Sequence, residues 1–150
     1  MRGSMKFHAL QAAVFFCLVA VKATATTYYV DINSTNPTPP YTNWSTASTD
    51  IQDAVNQTTN GDLVLVNPGV YQTGGETVNG YSLTNRVVIA DPITVQSVDG
   101  PATTIIQGNP VLGSNAVRCV YMTNNATLSG FTLTRGATFN IVGGGDPVIN

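Results

Sequence analysis

The sequence predicts an all-β fold, a solenoid of about three stacked coils built from short strands and turns. A run at 85–98 lies 33 positions before a similar run at 118–131. Under this shift apolar residues meet apolar residues and threonine meets threonine: Val87 on Val120, Thr94 on Thr127, Val95 on Leu128 and Val98 on Phe131. An earlier run at 62–69 would place Leu63 and Leu65 where Ile93 and Val95 stand. Repeats of this size indicate a solenoid, because one unit cannot bury its apolar face alone and stacks on the next.

Residues 1–25 are predicted to be a secretory signal peptide rather than part of the fold. A basic start with Arg2 and Lys6 precedes an apolar stretch at 9–21, and Ala23 and Ala25 offer small residues for a signal peptidase. The apolar stretch is too short for a bilayer span, although an N-terminal membrane anchor is the alternative. The expected location is therefore secreted or cell surface, with no membrane span after leader removal.

Charge limits the partners of the mature chain. Beyond residue 25 it has three arginines, eight carboxylates, no lysine and no histidine, which gives a formal charge of −5. Nucleic acids and anionic membranes need Lys or Arg to neutralise phosphate, so neither is an expected partner. Strong binding of anionic polysaccharides without a bridging cation is disfavoured for the same reason.

The next part, residues 26–61, is predicted to be an N-terminal cap with one helix. It opens with a β-rich run at 27–30, followed by a proline-rich loop at 31–41. A helix then starts after Ser48 or Thr49, with Ile51, Ala54 and Val55 on one face, and Asn60-Gly61 ends it with a turn.

Residues 62–150 are predicted to form the first coils of the solenoid, with the chain truncated before the solenoid ends. Strands are expected at 63–66, 87–89, 93–97, 104–107, 117–122 and 127–134. Alternation in 93–96 points Ile93 and Val95 inward and Thr94 and Gln96 outward. A glycine-rich loop at 72–81 is expected to bulge from the coil, and Gly130 allows a bend in the last strand region.

Four segments carry a family resemblance. They are Ile51-Gln-Asp-Ala-Val55, Gly61-Asp-Leu-Val-Leu-Val-Asn-Pro-Gly-Val-Tyr71, Pro92-Ile-Thr-Val-Gln96 and Asn125-Ala-Thr-Leu-Ser-Gly-Phe-Thr-Leu133. Their order over about residues 27–137 resembles the N-terminal part of right-handed parallel β-helix proteins of the pectin-lyase-like superfamily. The chain is most similar to large secreted bacterial β-helix proteins that end in a C-terminal anchor, the choice-of-anchor type.

The resemblance implies a cap helix over the open end of a right-handed solenoid, three short sheets per coil, and secretion or surface display. Enzymes of this superfamily act on polysaccharides, the lyases with Asp-bound Ca²⁺ and an Arg or Lys base, the hydrolases with a set of Asp residues. No residue here lies in a recognisable catalytic motif of the family, so the catalytic residues stay unknown.

Four residues are candidates for glycan contact. Trp44 either packs on the cap or offers an exposed carbohydrate platform, and Glu76 joins a site if its glycine-rich loop folds over a sheet. Arg86 and Arg118 flank equivalent strands and are expected to share one outer face, as a clamp for sugar carboxylates or as solvated edge residues.

The remaining polar residues favour structural roles. Asp62, Asp91 and Asp99 stand at turn positions that favour Asp for backbone reasons. Cys119 lies in an apolar run and is expected to be a small buried hydrophobic residue. No cofactor is expected; Ca²⁺ is a weak candidate, because Gly143-Gly-Gly-Asp146 is only a fragment of a calcium-binding repeat.

Three functions follow from these observations. The leading hypothesis is an extracellular scaffold or adhesive surface that binds polysaccharide or a cell-surface glycan. The alternative is the front portion of a polysaccharide lyase or glycoside hydrolase whose catalytic coils are absent from this chain. A truncated, non-functional product is the third. The uncapped last coil is also expected to leave sheet edges open to pairing with another chain.

Overall fold

The computed structural model describes residues 24–139, which fold into a parallel β-helix of about three turns with one short α-helix. The all-β prediction is confirmed. The signal peptide predicted at 1–25 lies outside the described residues, apart from Thr24 and Ala25. The elements follow in chain order: β1 (Thr27–Val30), α1 (Ile51–Val55), β2 (Leu63–Val66), β3 (Gly69–Tyr71), β4 (Glu76–Thr77), β5 (Thr84–Ile89), β6 (Thr94–Ser97), β7 (Thr104–Gln107), β8 (Val117–Met122), β9 (Thr127–Ser129) and β10 (Thr132–Thr134).

Three sheets form the walls of the solenoid. Sheet A has the strand order β1-β2-β6-β9, sheet B has β10-β7-β3, and sheet C has β4-β5-β8. Every pairing is parallel except β4 with β5. The chain passes from sheet A to B to C and then returns to A, so β2, β3 and β5 make one coil and β6, β7 and β8 the next.

The predicted repeat sets the register between coils. Sheet C pairs Val87 with Val120, and sheet A pairs Thr94 with Thr127, which are the partners expected from the 33-residue shift. The upstream register differs by one residue, because Leu63 pairs with Thr94 and Val64 with Val95. The expectation that Leu63 and Leu65 point inward is therefore wrong, since a one-residue slip exchanges the two faces of a strand.

The core runs along the axis of the solenoid. It holds alternate residues of the strands, each buried to 2% exposure or less: Val30, Val64, Val66, Tyr71, Val87, Ile89, Val95 and Ile106. The Tyr71 hydroxyl donates to the carbonyl oxygen of Asn67 at 2.8 Å and closes the corner between β2 and β3. Gly130 has a φ of +80° and separates β9 from β10, as the sequence predicted.

The cap helix is shorter than predicted. It ends at Val55 instead of near Asn60, and it buries Ile51, Ala54 and Val55 against the first coil as expected. Asp50 occupies the N-cap position without a side-chain hydrogen bond, and Ser48 instead holds the segment through its hydroxyl, which donates to the Asp50 carbonyl at 2.8 Å. Within residues 24–139, no helix is long and apolar enough to cross a membrane.

Candidate functional site

The four candidate glycan-contact residues do not form one site. Trp44 lies beside the outer face of sheet A, while Glu76 lies on a groove next to α1. Arg86 is buried, and Arg118 is half-buried on the neighbouring strand β8. The structure therefore separates an aromatic candidate surface from a polar candidate groove, and each is described in turn.

Trp44 packs on the cap and is nevertheless exposed; its predicted role as a carbohydrate platform stays a prediction. Its ring lies 4.6 Å from the Tyr29 ring, centroid to centroid, at an interplanar angle of 62°. The side chain is nevertheless 41% exposed. Asn43 fixes the short 3₁₀ turn that carries Trp44, since its Oδ1 accepts hydrogen bonds from the Ser45 hydroxyl at 2.5 Å and the Thr46 N–H at 3.1 Å.

The second candidate is a groove of about 330 Å³ between the end of α1 and the outer edge of sheet C, which we call the helix groove. Its walls come from α1 and the following turn, from β4, and from the end of β5 with the turn to β6. The lining residues are Gln52, Val55, Asn56, Thr58, Glu76, Val88, Ala90, Asp91 and Ile93.

The helix groove exists because α1 covers the edge of β5 only in part. Gln52 is 4% exposed, and its side-chain amide reaches the backbone of Val88 in both directions. The Val88 N–H donates to Gln52 Oε1 at 2.6 Å, and Gln52 Nε2 donates to the Val88 carbonyl at 3.3 Å and to Asn56 Oδ1 at 2.8 Å. At the inner end of the groove, the Gln52 amide thus makes the two hydrogen bonds that a neighbouring strand would make with the Val88 backbone.

The groove presents free polar groups over an apolar floor. Glu76 and Asp91 are exposed, and their carboxylates have no hydrogen-bond or ion-pair partner among residues 24–139. Thr58 donates to the Val55 carbonyl at 2.6 Å, which leaves the lone pairs of its hydroxyl oxygen available. Ala90 contributes an exposed methyl group between these groups, whereas Val88 and Ile93 lie beneath it at 8% and 2% exposure.

The sequence identified Glu76 as a site candidate and explained Asp91 by its turn. The structure agrees that Asp91 precedes a turn and adds that its side chain lines the same groove as Glu76. Gln52 and Asn56 were not singled out for the site. Gln52 and Asn56 are four positions apart, and side chains at this spacing are neighbours on a helix. Because the predicted helix included both positions, this spacing was the signal that could have paired them.

Arg86 has an internal role. Its Nε donates to the Gln107 carbonyl at 2.9 Å, and its Nη1 donates to the Gly74 carbonyl, so the guanidinium joins the glycine-rich loop to sheet B. Burial lowers the pKa of Arg86, against the opposing effects of Asp50 and Cys119. With 9% exposure, Arg86 is not the solvated edge residue that the sequence allowed.

Arg118 differs from Arg86 in register. The strand partner of Arg118 is Asn85, and successive residues of a strand point to opposite faces. The expectation that the two arginines share one outer face is therefore wrong. Arg118 Nη2 donates to the Thr138 hydroxyl at 3.4 Å. Its neighbour Cys119 is half-buried, packs against the core and contacts the Thr134 carbonyl through Sγ at 3.2 Å.

Metal binding finds no support among residues 24–139, where no group of three or more His, Cys, Asp or Glu side chains could hold an ion. The Gly143–Asp146 fragment considered for Ca²⁺ lies outside the described residues. Asp62 has a structural role, because its carboxylate accepts hydrogen bonds from the N–H groups of Thr26 and Thr59, both at 2.7 Å.

Comparisons of this chain with protein-family models, with curated proteins and with solved structures give no match. The parallel β-helix thus rests on the structure itself. The pectin-lyase-like and choice-of-anchor resemblance remains an expectation from sequence motifs.

Proposed function

We propose that this protein is an extracellular or surface scaffold that binds an uncharged glycan in the helix groove. The observation that carries the proposal is the lining of this groove, in which the carboxylates of Glu76 and Asp91, unpaired within residues 24–139, and the hydroxyl oxygen of Thr58 lie beside apolar side chains. Its volume of about 330 Å³ lies at the lower end of the range of small-ligand pockets, which suits one or two sugar units.

The chemistry of the lining favours sugars over other ligands. The hydroxyl groups of a sugar donate hydrogen bonds, and the carboxylates of Glu76 and Asp91 accept them strongly because they are charged. The C–H face of a sugar ring can lie on the exposed methyl group of Ala90 and the adjoining edge of Val88. Among residues 24–139 no arginine or lysine lines the groove, so an anionic sugar would meet two carboxylates without a cation from this part of the chain.

The proposal is tested by screening the purified protein on immobilised glycans and measuring the affinity of a soluble hit by calorimetry. Glu76→Gln and Asp91→Asn keep the side-chain shape and remove the charge. We expect each to weaken binding about tenfold, since a hydrogen bond to a charged group contributes roughly 1.5–3 kcal/mol. Asp99→Asn is the matched control, because Asp99 is also an exposed turn residue but does not line the groove. Absence of glycan binding, or equal affinity in all three variants, would refute the proposal.

Glycoside hydrolysis is the second candidate function, favoured by the presence of Glu76 and Asp91 on one groove. Glycosidases use two carboxyl groups, one as acid and one as base or nucleophile. Incubation of each bound polysaccharide with the protein, followed by measurement of new reducing ends, separates the two functions. A hydrolase loses turnover in both Glu76→Gln and Asp91→Asn, whereas a binding protein releases no product even before substitution.

A further inference from the structure

The chain contains two Asn-Gly pairs, Asn60-Gly61 before β2 and Asn79-Gly80 between β4 and β5, and the structure places them in closely similar turns. Each pair occupies the centre of a four-residue turn, 59–62 or 78–81, in which the last N–H donates to the first carbonyl at 3.1 and 2.9 Å, respectively. The two glycines have φ values of +90° and +87°. Both asparagines are exposed. In sequence, turn shape and exposure the two pairs are therefore equivalent.

The two pairs differ in the hydrogen bonding of the glycine nitrogen. The Gly61 N–H donates to the Pro92 carbonyl at 3.0 Å, which ties its turn to the turn before β6. The Gly80 N–H has no hydrogen-bond partner among residues 24–139, and within the same range the Asn79 side chain has none either. The segment around Gly80 is also held less firmly, because β4 pairs with β5 through only two residue pairs. The nitrogen of Gly80 is therefore the more available of the two.

An available backbone nitrogen next to an asparagine is a reactive arrangement. The nitrogen of the following residue loses its proton and attacks the asparagine Cγ, so that a new N–C bond closes a five-membered succinimide ring and the side-chain nitrogen leaves as ammonia. Water then opens the ring at either carbonyl and gives aspartate or isoaspartate, with no oxidation or reduction. Glycine favours the attack because it has no Cβ to hinder the approach. A hydrogen bond from the attacking nitrogen opposes the reaction, because this bond must break before the proton leaves.

We infer that Asn79-Gly80 is a site of spontaneous covalent modification in the folded protein, at which Asn79 becomes aspartate or isoaspartate, whereas the hydrogen bond to Pro92 protects Asn60-Gly61. The reaction adds a negative charge to the segment that joins β4 to β5, and the isoaspartyl product also lengthens the backbone there. Because β4 carries Glu76, this change lies close in sequence to a side chain that lines the helix groove. The reaction itself does not depend on the ligand that the groove binds.

The test follows both sites in the purified protein during incubation at mildly alkaline pH. Samples are then denatured and cut by a glutamate-specific protease at Glu76, the only glutamate of the chain, which separates the two sites for mass spectrometry. The exchange of an amide for an acid raises the peptide mass. We expect Asn79 to react about tenfold faster than Asn60, which corresponds to about 1.4 kcal/mol for the hydrogen bond that protects Gly61.

Two controls isolate the effect of the fold. The same incubation in urea removes both turns, so the two pairs then differ only in their flanking residues and should react at similar rates. Asn79→Gln keeps an amide at the exposed position but would have to close a less favoured six-membered ring. We expect this variant to retain the melting temperature of the wild type and to lose the early acidic form that ion-exchange chromatography separates.

The outcomes decide between protection by the hydrogen bond and other causes. A ratio near tenfold in the folded protein that falls towards one in urea, with loss of the early acidic form in Asn79→Gln, supports the inference. Equal rates in the folded protein, or a slower reaction at Asn79 than at Asn60, overturn it. A ratio that is unchanged in urea also overturns it, because flanking sequence would then set the rates. An Asn79 that stays unmodified in the folded protein while the urea sample reacts to completion overturns it as well.

Discussion

The side chain of Gln52 joins the cap helix to the edge of β5. Sheet edges carry unpaired N–H and C=O groups, and natural proteins cover them with other elements. Here β4 pairs with the start of β5, at Asn85 and Thr84, and the amide of Gln52 satisfies both backbone groups of Val88 further along the same edge. The backbone groups of a helix bond within the helix, so the Gln52 side chain makes the hydrogen bonds that a neighbouring strand would make.

Gln52→Ala is expected to lower the free energy of unfolding by about 1–3 kcal/mol, because it leaves a buried N–H and a buried carbonyl of Val88 without partners. Urea unfolding followed by circular dichroism gives the measurement. Gln57→Ala is the control, since Gln57 is exposed and its side chain has no hydrogen-bond partner within residues 24–139. A loss no larger than that of the control would show that the amide does not stabilise the edge.

Asp62 ties the first described residues to the solenoid. Burial by itself would raise its pKa, but hydrogen bonds from the Thr26 N–H and from the N–H and hydroxyl of Thr59 outweigh burial and hold the pKa below its usual value. A group whose pKa is lower in the folded state binds protons more weakly there than in the unfolded chain. Its stabilising contribution is therefore complete above the unfolded-state pKa, and it is lost as the pH falls through the folded-state pKa.

The stability of Asp62→Asn is expected to depend on pH in a defined way. At pH 7 the variant should lose roughly 1–3 kcal/mol, because an amide cannot accept all three hydrogen bonds. The difference from wild type should shrink as the pH falls below about 4, where the unfolded wild-type chain takes up a proton. Unfolding free energies measured between pH 7 and pH 2 check this; a difference independent of pH would contradict the assignment.

At the scale of elements, the position of a strand in the stack determines how deeply its residues are buried and how much they contribute to stability. Sheet B aligns Tyr71 of β3, Ile106 of β7 and Leu133 of β10 in one row. Their exposures are 2%, 0% and 50%, respectively. Apolar residues in the same register therefore differ in burial according to what covers each end of the stack.

Ile106→Ala is expected to cost about 2–5 kcal/mol, as for other large-to-small substitutions in a packed core. Leu133→Ala should cost about 1 kcal/mol or less, because half of its surface is already in contact with solvent. Chemical denaturation of both variants provides the comparison. Equal losses at the two positions would indicate that Leu133 is covered in solution.

At the scale of the whole molecule, the two ends of the described solenoid differ. The N-terminal end is covered by α1, by β4 and by the segment that carries Tyr41 and Ser48. At the other end β8, β9 and β10 are the last strands of their sheets within residues 24–139. Leu133 and Met122 are exposed on these strands, at 50% and 39%.

Self-association is expected to increase with concentration, because within residues 24–139 no strand pairs with the outer edges of β8, β9 and β10 and because Leu133 and Met122 are exposed there. Sedimentation velocity over a hundredfold range of concentration measures the effect. Leu133→Lys should reduce association, whereas Leu112→Lys, an equally exposed change elsewhere, should not. A wild-type chain that stays monomeric and melts sharply would contradict this expectation.

Much of the fold follows from local pattern. Most strands were predictable from short runs of apolar and β-branched residues, and the 33-residue shift gave the register of β5 with β8 and of β6 with β9. Strands β3 and β4 were missed, because they hold only three and two residues. The register of β2 was missed by one residue, because all four residues of Leu63–Val66 are apolar and the pattern gives no phase there. The helix end was missed because no side chain marks Val55 as its last residue.

The candidate site was less predictable. Trp44 and Glu76 could be named as unusual residues, but Arg86 was indistinguishable from a surface arginine until its carbonyl partners on Gly74 and Gln107 were known. Asp91 was assigned to a turn, and only the structure places it on the same groove as Glu76.

The sequence by itself determined that this chain forms short strands, stacks them in coils and caps them with a helix, because these features depend on local periodicity and turn residues. Tertiary structure alone decided which residues lie together: Gln52 with Val88, Glu76 with Asp91, and Trp44 with Tyr29. The physical reason is that these pairs are far apart in sequence, by 36 positions for Gln52 and Val88. Their contact depends on how the chain folds back between them, whereas the repeat records only the register of β5 with β8 and of β6 with β9.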